Sequence, residues 1–152
     1  MTVLARNIRP QKIHIIVALV IVIFAVISFV TLSSVKQDVT KIGSKNYELE
    51  VADSEPERTR GLSGRTMLAD NTGMLFVFDA PAKHCFWMKD TLISLDIVWL
   101  DADKKVVDTF ASMSPASYPE SFCPKRNAQF AIELSAGELQ RSGVQNGDLI
   151  QL

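Results

Sequence analysis

The sequence predicts a mostly β domain, a compact β-sandwich or barrel with short helical pieces, preceded by one N-terminal transmembrane helix. Residues 13–32 (IHIIVALVIVIFAVISFVTL) form a single uncharged apolar run, about the length a helix needs to cross the hydrocarbon core. Beyond residue 46 the apolar residues recur mostly at period two, the signature of strands with one buried face. About seven such segments and two with room for only one or two helical turns make a sandwich or barrel.

At 152 residues, 47% of them hydrophobic, the chain is long enough for one domain but too apolar to be soluble throughout. Arg6, Arg9 and Lys12 precede the apolar run with no acidic residue among them, and segments rich in Lys and Arg stay cytoplasmic. The expected order is a cytoplasmic N-terminus (residues 1–12), an uncleaved signal anchor (13–32), a linker (33–46) and an extracytoplasmic β-rich domain (47–152). This places the protein in the cell membrane as a single-pass chain with its C-terminal domain outside. A cleaved signal peptide competes, because Thr31, Ser33 and Ser34 are small residues near a cleavage position. Its apolar region would span only about 7 to 15 residues, however. His14, at the membrane edge, reads as an interfacial side chain. All 17 acidic residues and 13 of the 16 basic ones lie beyond residue 33, a net of −4, which argues against nucleic acid as a partner.

The elements follow in order. SSVKQDVTKIGSKN (33–46) is polar, without apolar periodicity, and reads as a tether. In YELEVA, Tyr47, Leu49 and Val51 alternate with acidic residues. Ser54 and Glu57 stand at capping-box spacing, so a short helix through Arg58 and Arg60, closed by Gly61, is expected. GMLFVF (73–78) is apolar on both faces, as a central strand would be. Strands also fit residues 85–89, 95–100 and 106–110, with DADK (101–104) as the turn between the last two. AQFAIEL (128–134) alternates again and SAGELQRSG has the length of one or two helical turns. Asn146-Gly147 marks a tight turn before a last strand, DLIQL.

Five segments, ERTRGLSGRTML, GMLFVF, FWMKDTLISLDIVWLD, AIELSAGE and SGVQNGD, occur in that order. Together they resemble the small prokaryotic domain of unknown function catalogued as family one hundred and ninety-two. The resemblance covers about residues 47–152. It implies a compact β-rich domain, often behind a signal sequence or anchor, and no established activity. Two positions depart from the family pattern: Ser63 stands where Met is usual and Asp90 where Asn is usual.

The densest chemistry lies in HCFWMKDTLISLDIVWLD (84–101). A regular strand would put Trp87, Lys89 and Thr91 on one side and Phe86, Met88 and Asp90 on the other. Trp87 beside Lys89 and Thr91 fits a ligand shelf, the indole giving area and the lysine charge; the plainer reading has Trp87 closing the core and Lys89 meeting water. Asp96 interrupts the apolar strand LDIVWL, where an unpaired carboxylate is costly. Arg65 is its candidate partner through a two-bond guanidinium contact, serving either a ligand or a loop-to-sheet tie.

His84 and Cys85 suggest an activated thiol, but adjacent strand residues point to opposite faces. A metal site from His84, Cys85 and Cys123 has three ligands at undistinguished spacing. In an exported domain the two cysteines fit a disulfide between Cys85 and Cys123, with two free thiols as the alternative. SMSP (112–115) matches the serine box of type I signal peptidases, yet it lies far from the anchor, and Lys125 is the only lysine downstream.

The expected function is a membrane-anchored extracytoplasmic module that binds a small-molecule ligand or a protein of the cell envelope. Its candidate surface is Arg65, Trp87, Lys89, Asp90, Thr91 and Asp96, and no cofactor or metal is expected. The alternative is an envelope enzyme, thiol- or metal-dependent or a peptidase-like hydrolase.

Overall fold

The computed structural model describes residues 37–152. The apolar run at 13–32 and the charges ahead of it lie outside the described residues; among those described, no helix is long and apolar enough to cross a membrane. The elements are β1 (Gln37–Ile42), β2 (Lys45–Ala52), α1 (Glu55–Arg60), β3 (Thr72–Ala82), β4 (Phe86–Trp87), β5 (Leu95–Leu100), β6 (Val106–Met113), β7 (Ser121–Phe122), β8 (Ala128–Ser135) and α2 (Glu138–Ser142).

The domain is mostly β, but it is neither a two-sheet sandwich nor a barrel. Six strands form one mixed sheet in the order β1-β2-β3-β8-β5-β6, and β4 and β7 make a separate two-stranded ribbon. β2 and β3 pair in parallel, which requires a crossover; α1 lies within it. The other pairings are antiparallel.

Two-sided burial explains why a single sheet suffices. All six residues of β5 are buried, and they alternate between two cores. Leu95, Ile97 and Trp99 join Met74, Phe76 and Ala131 on one face. Val98 and Leu100 join Tyr47, Leu49, Leu75, Ile132 and Leu134 on the other. A sheet covered on both faces reads as continuous apolar runs, as GMLFVF and LDIVWL do. Gly73, on β3, faces the backbone carbonyl of Glu133 so closely that a Cβ would collide with it, so β3 and β8 meet there only because the side chain is missing.

Three expected boundaries change. Residues 33–46, read as linker, contain β1, which runs antiparallel along β2 from Gln37↔Glu50 to Ile42↔Lys45. β1 is an edge strand; it buries Thr40 and Ile42 while Val39 stays exposed, so its composition is that of a tether. The strand expected at 85–89 shortens to Phe86–Trp87, because Asp90 turns the chain with φ 54°. The last segment makes no strand of its own; Leu149 and Gln151 form single bridges to Lys105 and Lys41.

Candidate functional site

One face of the sheet carries α1, the β4–β7 ribbon and, between them, a cavity of about 270 Å³. Its first wall is α1 with the chain that follows. Ser54 opens the helix, and the Glu57 carboxylate accepts the Ser54 backbone N–H at 3.1 Å and its hydroxyl at 2.6 Å, which satisfies the N–H of the capping residue. Gly61 closes the helix with φ 48°. Arg58 Nη1 donates to the backbone carbonyls of Asp53 and of Val77, the latter at 2.9 Å, and the guanidinium lies 5.6 Å from the Phe78 ring centroid. The helix is thereby fixed to β3.

The second wall is the segment from Cys85 to Thr91. Two backbone-directed bonds zip it to the chain after α1: Gly64 N–H donates to the Asp90 carbonyl at 2.8 Å, and Ser63 Oγ donates to the Lys89 carbonyl at 3.0 Å. Aromatic contacts set the rest. Phe76 meets Phe86 edge-on at 4.9 Å, and the His84 ring stacks on Phe78 at 3.6 Å, with its Nε2 3.0 Å from the Ala80 carbonyl oxygen. Trp99 Nε1 donates to the His84 carbonyl at 3.0 Å, anchoring the segment to β5. Cys85 and Cys123 are joined as a disulfide beside the register pair Phe86↔Phe122, and Cys85 lines the cavity. His84 and the sulfur therefore form no catalytic pair.

Glu133, on β8, also lines the cavity. It pairs in register with Met74 and Ile97, residues of the core on this face, so its side chain rises from the sheet under the cleft. The residue is 5% exposed. Burial pushes its carboxyl up to about 8, and no hydrogen bond or ion pair to it is found among the described residues. A carboxyl titrating near neutrality in an aromatic-walled cleft has two uses: it donates or accepts a proton, or it pairs with a cationic group.

The structure divides the expected site residues. Trp87, 55% exposed, and Thr91 line the cleft. Lys89 and Asp90 do not line it; their backbone carbonyls hold the facing loop, and the two residues are exposed. The expected Arg65–Asp96 pair does not form. Arg65 makes a two-bond contact of 2.6 Å each with Glu50, which holds the Glu50 carboxyl below its usual range. Asp96 accepts backbone N–H groups of Ser112 and Leu139. It shares the alternation of Val98 and Leu100, which points away from the cleft. Ser112, of the SMSP motif, thus serves the sheet's other face. Glu133 was missed although it carries the same signal that singled out Asp96, an acid between apolar neighbours in AIEL.

Residues 37–152 match the family model DUF192, described as "Uncharacterized ACR". The chain is 34% identical over 118 residues to a UPF0127 protein of Thermococcus kodakarensis, covering 73% of this chain and 68% of that one. It is 32% identical over 109 residues to a UPF0127 protein of Thermococcus gammatolerans, covering 67% and 64%. The chain thus spans about two thirds of the length of these relatives. Among solved structures it is similar to a protein of unknown function from Novosphingobium aromaticivorans, with a TM-score of 0.72, 26% identity and coverage of 80% and 89%. It is also similar to a provisionally assigned transcription regulator from Sinorhizobium meliloti, with a TM-score of 0.70, 27% identity and coverage of 74% and 90%. Segments that carried the sequence resemblance, RGLSGR, GMLFVF, FWMKDT and AIEL, each contribute residues to the cleft. The chain belongs to the DUF192 (UPF0127) family, whose function is not known.

Proposed function

We propose that this domain is a ligand-binding module, displayed outside the cytoplasm from a single membrane anchor, and that the cleft beside α1 is its binding site. The observation that carries the reading is Glu133, a mostly buried residue whose carboxyl opens on an aromatic-walled cavity and has no protein partner among the described residues. Burying such a group costs free energy unless something hydrogen-bonds to it, and a concave site with few polar groups among aromatic walls suits a small molecule. Export is supported by the positively flanked apolar run at 13–32 and by the disulfide, a bond that persists in oxidising compartments.

An enzyme would use Glu133 as its acid or base, but three nucleophile-type groups of the cavity wall are engaged elsewhere. The Ser63 and Thr91 hydroxyls both donate to the Lys89 carbonyl, and Cys85 is bonded to Cys123. The regulator assigned in Sinorhizobium meliloti does not extend to this chain as a nucleic-acid binder, because the part beyond residue 33 carries a net of −4.

The cleft is tested by screening small-molecule fragments against the full chain in detergent and following the indole N–H signals of Trp87 and Trp99 by NMR. Fragments that move Trp87, and that stop binding when Trp87→Ala is introduced, support the site. A screen in which no fragment moves Trp87 overturns it. Display is tested separately with protease added outside intact protoplasts: digestion of the domain is expected, and full protection overturns that placement.

A further inference from the structure

Resting on the cleft as the binding site, we infer that its ligand is a compact organic monoamine held as an ammonium ion, with the nitrogen on the Glu133 carboxylate and the apolar body against Phe86 and Trp87. Glu133 supplies the first constraint. It lines the cavity and is nearly buried, with no hydrogen bond or ion pair to its carboxyl among the described residues. Once ionised it is purely an acceptor, and an ammonium group brings up to three donors and the opposite charge in one step.

The walls point the same way. Phe76, Phe78, Phe86 and Trp87 surround the cavity, and ring faces attract a desolvated cation. At about 270 Å³ the cavity lies near the lower end of small-molecule sites, so the ligand is compact. The rim then selects against a second positive charge. Arg58 and Arg60 stand there against a single acid, Glu55, and Arg58 is already held by the Asp53 and Val77 carbonyls. A diamine would have to place its second ammonium among these guanidinium groups. Because burial keeps Glu133 largely protonated at neutral pH, binding an ammonium ion expels that proton.

The test is calorimetry on the full chain in non-ionic detergent at pH 7, with phenethylamine, its neutral counterpart 2-phenylethanol, and 1,4-diaminobutane, each in two buffers of different ionisation enthalpy. Phenethylamine is expected to bind at least about tenfold more tightly than either of the others and to release close to one proton, about the fraction Glu133 holds beforehand. Glu133→Gln should abolish that preference and the accompanying proton release. Equal binding of amine and alcohol without proton release overturns the ammonium inference but leaves the cleft standing as a site. No binding by phenethylamine also overturns it, whereas the cleft itself falls only if the fragment screen leaves Trp87 unmoved. Should the Gln variant fail to fold, the proton count on the unsubstituted chain decides.

Discussion

Asp96 Oδ2 accepts the backbone N–H of Leu139 at 2.9 Å, fastening β5 to the first turn of α2. The N-terminal cap of that helix is Gly137, which has no side chain to offer, so a carboxylate from the neighbouring strand satisfies a donor that the cap leaves open. The other oxygen, Oδ1, accepts the N–H of Ser112 at 2.8 Å, where φ is 55° and the β5–β6 register shifts between Leu95 and Ile97. A fully buried acid is thus matched to two backbone donors and needs no guanidinium.

Asp96→Ala strands both donors and leaves a small void, so it should destabilise the domain by about 3 to 4 kcal/mol, the sum of two unsatisfied buried groups near the middle of their range. Arg65→Ala combined with it should add independently, within about 0.5 kcal/mol. The Arg65–Glu50 pair, about one third exposed on each side, should show a coupling below about 1 kcal/mol. Urea unfolding of the wild type and five variants, Asp96→Ala, Arg65→Ala, Glu50→Ala and the two doubles that include Arg65→Ala, checks all three values in two double-mutant cycles; a strong Arg65–Asp96 coupling would contradict this geometry.

Glu133 gives the domain a pH dependence of unusual sign. Its carboxyl titrates at about 8 in the fold but near 4.3 in the unfolded chain. Between those values the folded state holds the extra proton. Stability from this group is therefore full below the unfolded value and falls as pH rises towards 8, by at most about 1.4 kcal/mol per pH unit. Glu133→Gln should flatten the slope between pH 5 and pH 8 in thermal melts. An unchanged slope would show that the carboxyl is already ionised in the fold.

Glu138 works in the opposite sense. Burial would raise its pKa, but Arg141 at 2.8 Å, the Tyr47 hydroxyl at 2.6 Å and Lys45 at 3.3 Å outweigh it and hold the carboxyl at about 2. With a depressed folded value, its contribution is present above the unfolded pKa and is lost as pH falls from about 4.3 towards 2. Tyr47→Phe removes one of the three partners and should cost about 1 to 3 kcal/mol at pH 7, as for a hydrogen bond to a charged group. The acid limb of its stability curve should shift to higher pH, and an unshifted limb would count against the contact.

Strands were legible where alternation or a two-faced apolar run marked them, as in YELEVA, GMLFVF and LDIVWL. Partners were not, because period two states which residues share a face but not which strand lies beside which. The parallel β2–β3 pair and the open sheet are consequences of long-range pairing. The site was half legible. Trp87 and Thr91 line the cavity and Lys89 and Asp90 do not, because the strand whose alternation grouped Trp87, Lys89 and Thr91 stops at Trp87. Asp96 was identified as a buried acid but given the wrong partner, since backbone N–H groups carry no sequence signature. Glu133 shows that same pattern in AIEL, and only the geometry separates the two acids: one meets two donors, and the other faces a cavity.

The Cys85–Cys123 bond spans 38 positions in sequence and secures the smallest sheet in the domain. The β4–β7 ribbon has two residues on each strand, far below what holds a hairpin together in water. Closing a loop of this length restricts the unfolded chain by about 4 kcal/mol in the chain-entropy model, an upper figure. Because Cys85, Phe86 and Trp87 all line the cleft, the bond also governs the site's second wall. Intact mass of the protein isolated from cells, alkylated before and after reduction, should show both thiols protected until reductant is added. Replacing both cysteines by serine should lower the melting temperature and weaken cleft binding, while far-UV circular dichroism at low temperature retains the six-stranded sheet, whose core packs without the sulfurs. If both thiols label without reductant, the bond is absent and the cleft wall is held by the Trp99–His84, Gly64–Asp90 and Ser63–Lys89 bonds instead.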